Sequence, residues 1–305
     1  MILSALTPIF MIILLGFLIS RTPLSSQEVW SGIERLTYYL FFPALLILRL
    51  SSSNFDWDDI TDIAKVIVLA LVVITLLIAL LHKLIASDLA SLSSVYQGSI
   101  RFNTYIGLAC ISVLYGDSGL MMASLCLAVY IPLVNILCVI SLTLKGQGGA
   151  KRISRIINSV AVNPLVLACI AGIVISYTGF ELPDLVESVF ELLSQPALPL
   201  GLLAVGAGIR FVALGEQSWQ LIVAVATKLA LFPALVLFSC LLFETPNEIA
   251  VVMLLLSALP APPSAYILAR QLGGNESLMA NIITVQTLVA FFVIPLWIQL
   301  ADSYL

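Results

Sequence analysis

Residues 4–20 read SALTPIFMIILLGFLIS, and residues 160–176 read VAVNPLVLACIAGIVIS. At an offset of 156, Pro8 falls on Pro164, Gly16 on Gly172 and Ser20 on Ser176. The same offset lays Pro43 of FFPALL on Pro199 of ALPLGLL. At an offset of 158, GDSGLMMA from Gly116 falls on GNESLMAN from Gly274, matching Leu120 with Leu278 and Met121 with Met279. Proline and glycine carry most of these matches, and both are placed by backbone needs rather than by bulk hydrophobicity. A near-constant offset along the chain reads as an internal repeat.

What repeats is apolar. Of 305 residues, 61% are hydrophobic and only 10% are charged. A soluble domain is about 45–50% apolar and about 25% charged, so this composition fits no water-soluble globule. Sparse charge and a net of −4 exclude disorder and a nucleic-acid partner. The five cysteines, Cys110, Cys126, Cys138, Cys169 and Cys240, lie inside apolar runs without paired spacing, and they read as reduced small hydrophobes. A polytopic helical membrane protein remains, with the lipid bilayer as its partner.

A span needs about 20 mostly apolar residues. Ten such segments are expected, at 2–20, 28–50, 59–86, 92–115, 119–144, 153–177, 183–209, 217–243, 247–271 and 277–301. The first lacks a cationic flank and a cleavage site, so it reads as a span rather than a signal peptide. With the N-terminus outside, inner loops carry Arg21, Lys83, Lys145, Lys151, Arg152, Arg155, Arg210 and Arg270. Outer loops then carry Asp56, Asp58, Asp59, Asp117, Glu181, Asp184, Glu244 and Glu248. The positive-inside rule therefore puts both termini on the extracytoplasmic side. The expected halves are residues 1–145 and 153–305, joined by a short cytoplasmic linker at 146–152. Each half holds five spans, and an odd number inverts the second half. Inverted repeats are an architecture of secondary transporters, which hold substrate near the bilayer midplane at interrupted helices.

Two segments read as interrupted. The fourth holds Gly98, Arg101, Asn103, Thr104 and Gly107, and the ninth holds Pro260, Pro262, Pro263 and Ser264. Three prolines within four residues cannot continue a helix. At the offset of 158, Asn103 and Thr104 lie on Ala261 and Pro262, so both breaks fall at matching places. Interrupted helices expose N–H groups and a positive dipole end, which suits an anion. Arg101 stands near mid-depth, where a charge is expensive and reads as functional. It is read either as a carboxylate anchor or as a structural cation. Gln286 and Thr287, on the segment after the ninth, join the candidate substrate-binding residues. Lys228 and Glu191 are read as a pair that serves coupling or structure. With one histidine, no metal-ligand spacing and no phosphate loop, no enzyme, metal site or cofactor is expected. Channel-filter motifs are missing as well.

Several stretches are similar to a known family. RFNTYIGL at 101–108, YIPLVNILCVISL at 130–142, NPLVLACIAGI at 163–173, PALPLGLLAVGAGI at 196–209 and the run at 258–296 resemble bacterial members of the auxin efflux carrier family. That family includes PIN-type carriers and malate and malonate permeases. The resemblance implies an all-helical protein of ten spans in two inverted five-helix repeats, with broken crossover helices 4 and 9. It implies a scaffold of spans 1, 2, 6 and 7 that forms a homodimer, and an elevator-like transport domain of spans 3–5 and 8–10. The family's crossover asparagine maps to Asn103, and its crossover prolines to Pro260 and Pro263. Where family members often carry proline, this chain has Phe102 and Leu108. The expected function is transport of small organic anions, mono- or dicarboxylates, across the cell membrane (the inner membrane of a bacterium). Coupling to protons or sodium is left open. The rivals are a sodium-coupled symporter of the bile-acid type and a ligand sensor or channel-like protein.

Overall fold

The computed structural model describes residues 2–23, 25–53, 56–143, 150–212 and 217–304, and no strand occurs among them. Residues 146–149 of the expected linker lie outside that set; residues 150–152 open a helix. In chain order the helices are α1 (Ile2–Ile19), α2 (Gln27–Leu36), α3 (Phe42–Ser51), α4 (Trp57–Leu80), α5 (His82–Ile85) and α6 (Leu89–Ile100). There follow α7 (Thr104–Leu142), α8 (Ala150–Ala161), α9 (Pro164–Thr178), α10 (Asp184–Ser194) and α11 (Ala197–Ala207). The last are α12 (Ser218–Ala226), α13 (Phe232–Leu242), α14 (Asn247–Ser257), α15 (Ser264–Leu272) and α16 (Glu276–Tyr304). Six helical stretches are long and apolar enough to cross a bilayer, and a seventh if Ile153–Ala161 and Pro164–Thr178 form one span. Large apolar side chains such as Met11, Leu18, Leu76, Phe238 and Leu296 are exposed, as a lipid-solvated surface requires.

Two short stretches are π-helical, Thr37–Phe41 and Thr227–Leu231. They share a sequence cause: 37-TYYLFFPALL-46 and 227-TKLALFPALV-236 both run into Phe-Pro-Ala-Leu. Proline cannot donate to the carbonyl four residues back, and its ring crowds that carbonyl. Widening the preceding turn relieves both, and Phe42 N–H and Phe232 N–H reach five residues back to the Thr37 and Thr227 carbonyls.

The chain divides into two compact units. The first contains Met1–Ile60, Tyr105–Ile131 and Ala161–Gly208, and the second Thr61–Thr104, Pro132–Val160 and Ile209–Leu305. In the first unit α1 packs on α11 and α3 on α9. Glycine makes both approaches possible. A Cβ at Gly16 would run into the Leu203 backbone, one at Gly206 into the Ile13 carbonyl, and one at Gly172 would stand 2.6 Å from Leu50 Cβ. Small residues that admit backbone-to-backbone contact are the usual glue of membrane helices. Gly116 takes φ 61 and ψ −147 within α7, a conformation closed to side chains. Beyond it Asp117 meets Arg49 at 2.9 Å. Gly206→Ala is expected to destabilise the protein by about 2–3 kcal/mol, since the obstacle is backbone that cannot rotate away. Gly32→Ala, with nothing within 4 Å, is expected to gain about 0.5–1 kcal/mol from helix propensity. Thermal melting of the two purified variants checks both signs.

The second unit is assembled around α6 and α16, which pack on one another and on α12. Much of the α6 surface is both polar and buried, with Ser91, Ser93, Ser94, Gln97 and Ser99 all inside. Asn275, in the turn before α16, fastens to it: its N–H donates to Ser94 Oγ (2.9 Å) and its Nδ2 to Ser91 Oγ (3.0 Å). Tyr96 Oη stands 2.8 Å from Thr75 Oγ1 of α4. Trp297 Nε1 donates to the Leu229 carbonyl at 2.8 Å, holding α16 to the π-helical segment.

Candidate functional site

The site lies within the second unit, where two helices stop and restart. α6 ends at Ile100, Arg101 is extended (φ −75, ψ 153), and α7 begins at Thr104. α14 ends at Ser257, and α15 begins at Ser264 after the proline run. The two gaps bond to one another: Asn103 N–H donates to the Pro260 carbonyl at 2.8 Å. That carbonyl lies beyond the end of α14 at Ser257 and outside any helical ladder, and the backbone of the other interruption satisfies it.

Gln286 closes the junction from α16. Its Oε1 accepts from Ala261 N–H (2.9 Å), and its Nε2 donates to the Gly98 carbonyl (2.9 Å) and the Ala224 carbonyl (3.0 Å). Both amide donors are thus used, and the side chain is fully buried. One residue satisfies backbone left bare by both interruptions and ties α12 to them. Gly98 permits this crowding, because a Cβ there would stand 2.6 Å from Ile282 Cγ2 and 3.6 Å from Ala224 Cβ.

Arg101 is placed differently. Its Nη2 donates to Ser264 Oγ at 3.4 Å, a long bond, while Nε and Nη1 are buried without a hydrogen-bond partner among the described residues. The Cys138 thiol of α7 lies beside the guanidinium. Ser264 opens α15, so the cation sits over a helix N-terminus, where the dipole favours negative charge. The first-turn N–H groups there are partly used: Ala265 donates to the Pro262 carbonyl (2.9 Å) and Tyr266 to the Pro263 carbonyl (3.0 Å). Donor capacity for an anion therefore rests mainly on the guanidinium.

The other expected residues are distributed around this point. Asn103 and Pro260 are buried, and Thr104, Pro262, Pro263 and Ser264 are half-buried. Gly107 is buried inside α7. Thr287 Oγ1 donates to the Ile283 carbonyl at 2.7 Å within its own helix, which leaves its hydroxyl turned to α16. Lys228 and Glu191, expected to pair, fall in different units. Lys228 is fully buried in the π-helical segment. Its ammonium lies 4.7 Å from the Phe232 ring centroid and makes no hydrogen bond or ion pair among the described residues. Glu191 is exposed on α10. The reading by sequence passes over Gln97, one turn before Arg101. Its amide is fully buried, and neither Oε1 nor Nε2 has a partner among the described residues. A glutamine among serines on an apolar helix is the signal that would have singled it out.

Two guanidinium nitrogens and an amide without hydrogen-bond partners among the described residues thus stand at one helix end, against a helix N-terminus, inside a membrane-embedded fold. The sequence profile of the family described as membrane transport protein matches residues 1–298. The chain belongs to this family. It is the auxin efflux carrier, PIN-like family that the motifs at 101–108 and 258–296 resemble. A Rhizobium meliloti protein named "Putative malonate transporter" is 23% identical over 297 residues, 93% of this chain and 90% of its own. A Bacillus subtilis protein named "Uncharacterized sodium-dependent transporter YocS" is 27% identical over 133 residues, 42% of this chain and 40% of its own. Membership of the family makes the chain a multi-pass membrane transporter.

Proposed function

We propose that this transporter carries a small organic anion, a mono- or dicarboxylate, in the cell membrane. The observation that carries the reading is the half-buried Arg101 at the start of α15, whose Nε and Nη1 are buried with no hydrogen-bond partner among the described residues. A carboxylate accepts two parallel N–H bonds from such a fork, and Ser264, Gln97 and Thr104 stand on the same helix ends. Asn103, Pro260 and Gln286 tie the two interruptions together, Pro262 and Pro263 shape the second, and Gly98 admits the close approach of α16. The relative named as a malonate transporter supports a carboxylate.

Ten spans with inverted halves and both termini outside are part of this reading. Leu89–Leu142 contains 54 residues, about 80 Å at 1.5 Å per residue, against a hydrocarbon core of about 30 Å. The stretch must cross more than once, and Gly116 is its turning point. The paired contacts support the repeat: Gly16 on α1 meets α11, and Gly172 at the matching place on α9 meets α3. Gly116 at the kink of α7 and Gly273, next to the matching Gly274, likewise both take positive φ (61 and 80). The first unit contains the segments expected as the scaffold, the sixth only from Ala161 onward, and the second most of those expected to move, a grouping in keeping with an elevator and a scaffold-mediated homodimer. Tyr105–Ile131 departs from that scheme by grouping with the scaffold.

The test is uptake of radiolabelled malonate, malate and a monocarboxylate into liposomes holding the purified protein. Uptake above protein-free vesicles, competed by unlabelled carboxylate, is expected. No movement of any carboxylate overturns the reading. A sodium-coupled carrier is the second reading, favoured by the partial match to a protein named sodium-dependent; uptake that needs an inward sodium gradient selects it. Lys228 belongs to this question, since a fully buried amine with no anion partner among the described residues can gain and lose a proton and so serve coupling.

A further inference from the structure

Helix α8 is not used by the transport site. Its sequence, AKRISRIINSVA, divides cleanly when wound at about 100° per residue. Ala150, Ile153, Ile156, Ile157, Val160 and Ala161 take one arc by sequence position; Lys151, Arg152, Ser154, Arg155, Asn158 and Ser159 take the other. On the apolar arc Ile153 is 59% and Ile157 56% exposed, with Ile156 and Val160 beside them half-buried. The polar arc carries three cations and no acid. Twelve residues are too few to span a bilayer. The two-sided pattern stops where the helix stops: Asn163 Oδ1 caps a new helix by accepting from Leu165 and Val166 N–H (3.0 and 3.3 Å). α9 beyond it, PLVLACIAGIVISYT, is apolar on all sides. The last turn of α8 is held to α7, since Asn135 Nδ2 donates to the Ser159 carbonyl at 3.4 Å.

A short helix with isoleucines on one face and lysine and arginine on the other suits the plane of a membrane interface. We infer that α8 lies in that plane, its isoleucine arc in the acyl boundary and its Lys151, Arg152 and Arg155 arc against anionic phospholipid headgroups. The occupant is an anionic lipid because the polar arc is wholly cationic or neutral. Zwitterionic lipid satisfies the apolar arc alone. Each basic residue at an anionic surface is worth roughly a fivefold gain, so three give a preference on the order of a hundredfold. Salt screens it, since the Debye length is about 10 Å at 0.1 M. The inference rests on the membrane embedding of the chain, not on the identity of the substrate.

Two measurements on the full-length protein test it. In the first, Ile153→Cys and Ile157→Cys are spin-labelled one at a time; the native cysteines are all buried. Both labels are expected at one shallow depth by oxygen and nickel accessibility. A difference of about 6 Å, four residues of a spanning helix, overturns the inference. In the second, thermal midpoints are recorded in detergent supplemented with phosphatidylglycerol or phosphatidylcholine. Phosphatidylglycerol is expected to raise the midpoint further at low salt, and the Lys151→Gln, Arg152→Gln, Arg155→Gln triple variant to lose that difference. An unchanged difference in the variant overturns the inference. So does equal stabilisation by soluble glycerol phosphate, which would mean a free-anion site instead.

Discussion

Arg101→Gln is expected to lower carboxylate uptake by two orders of magnitude while leaving the melting temperature unchanged or higher. The two signs differ because Arg101 contributes little to the resting fold. Its bond to Ser264 Oγ is 3.4 Å long, its other neighbour is the weakly bonding Cys138 thiol, and Nε and Nη1 are buried without a hydrogen-bond partner among the described residues. Two guanidinium nitrogens shut off from water with no partner among the described residues carry a desolvation cost, so a neutral amide of smaller size relieves the unit. Transport is the opposite case. Removing one member of a buried charge pair costs about 2–5 kcal/mol, and the middle of that range is a factor of about 300 in affinity. Arg101→Lys keeps the charge but loses the planar fork, and is expected to retain about a tenth of the uptake. Uptake within threefold of the parent protein removes Arg101 from the site. A fall in melting temperature that tracks the loss of uptake makes the residue structural instead. Radiolabelled uptake and melting measured on one preparation separate these cases.

The interruption before α15 is legible in the sequence because its cause is local. Proline lacks a donor wherever it stands, so 260-PAPP-263 stops α14 whatever surrounds it. The gap at Arg101–Asn103 is less legible, since no proline lies in it. It persists because a partner is available, the Pro260 carbonyl that accepts from Asn103 N–H. Arg101 stands out because a charge in an apolar run is rare. Gln286 does not declare its role: as a candidate ligand contact and as a clamp it looks identical in one dimension. Its partners, Gly98, Ala224 and Ala261, come from three distant stretches of chain. Apolar periodicity is little help here, because lipid and protein interior both accept leucine and leave no polar stripe to mark the outer face. The separation of α8 from α9 was likewise hidden inside one apolar segment, 153–177, although the basic residues at its start carry the signal. The π-helical segments needed no tertiary information, only recognition that Phe-Pro-Ala-Leu occurs twice.

Gln286→Leu carries the largest expected loss of stability in the second unit. Leucine fills a similar volume, so the change isolates hydrogen bonding from cavity formation. It leaves the Gly98 carbonyl and the Ala261 N–H bare in a buried setting. The Ala224 carbonyl keeps a partner, because Thr227 N–H also donates to it. Each bare backbone group costs about 1–3 kcal/mol, so the sum is about 2–6 kcal/mol. A drop of roughly 10 °C in melting temperature is the corresponding scale. Gln286→Glu is expected to be worse, although it is closer in shape. A carboxylate keeps an acceptor for Ala261 N–H but turns its second oxygen toward the Gly98 and Ala224 carbonyls, replacing two donors with repulsion. The order Gln, Leu, Glu in melting temperature is therefore the signature of a clamp. A residue that only touched substrate would give the reverse pattern, with unchanged melting for leucine and lost uptake for both. Equal melting of the leucine variant and the parent protein overturns the clamp, and places Gln286 among the groups that meet the carboxylate.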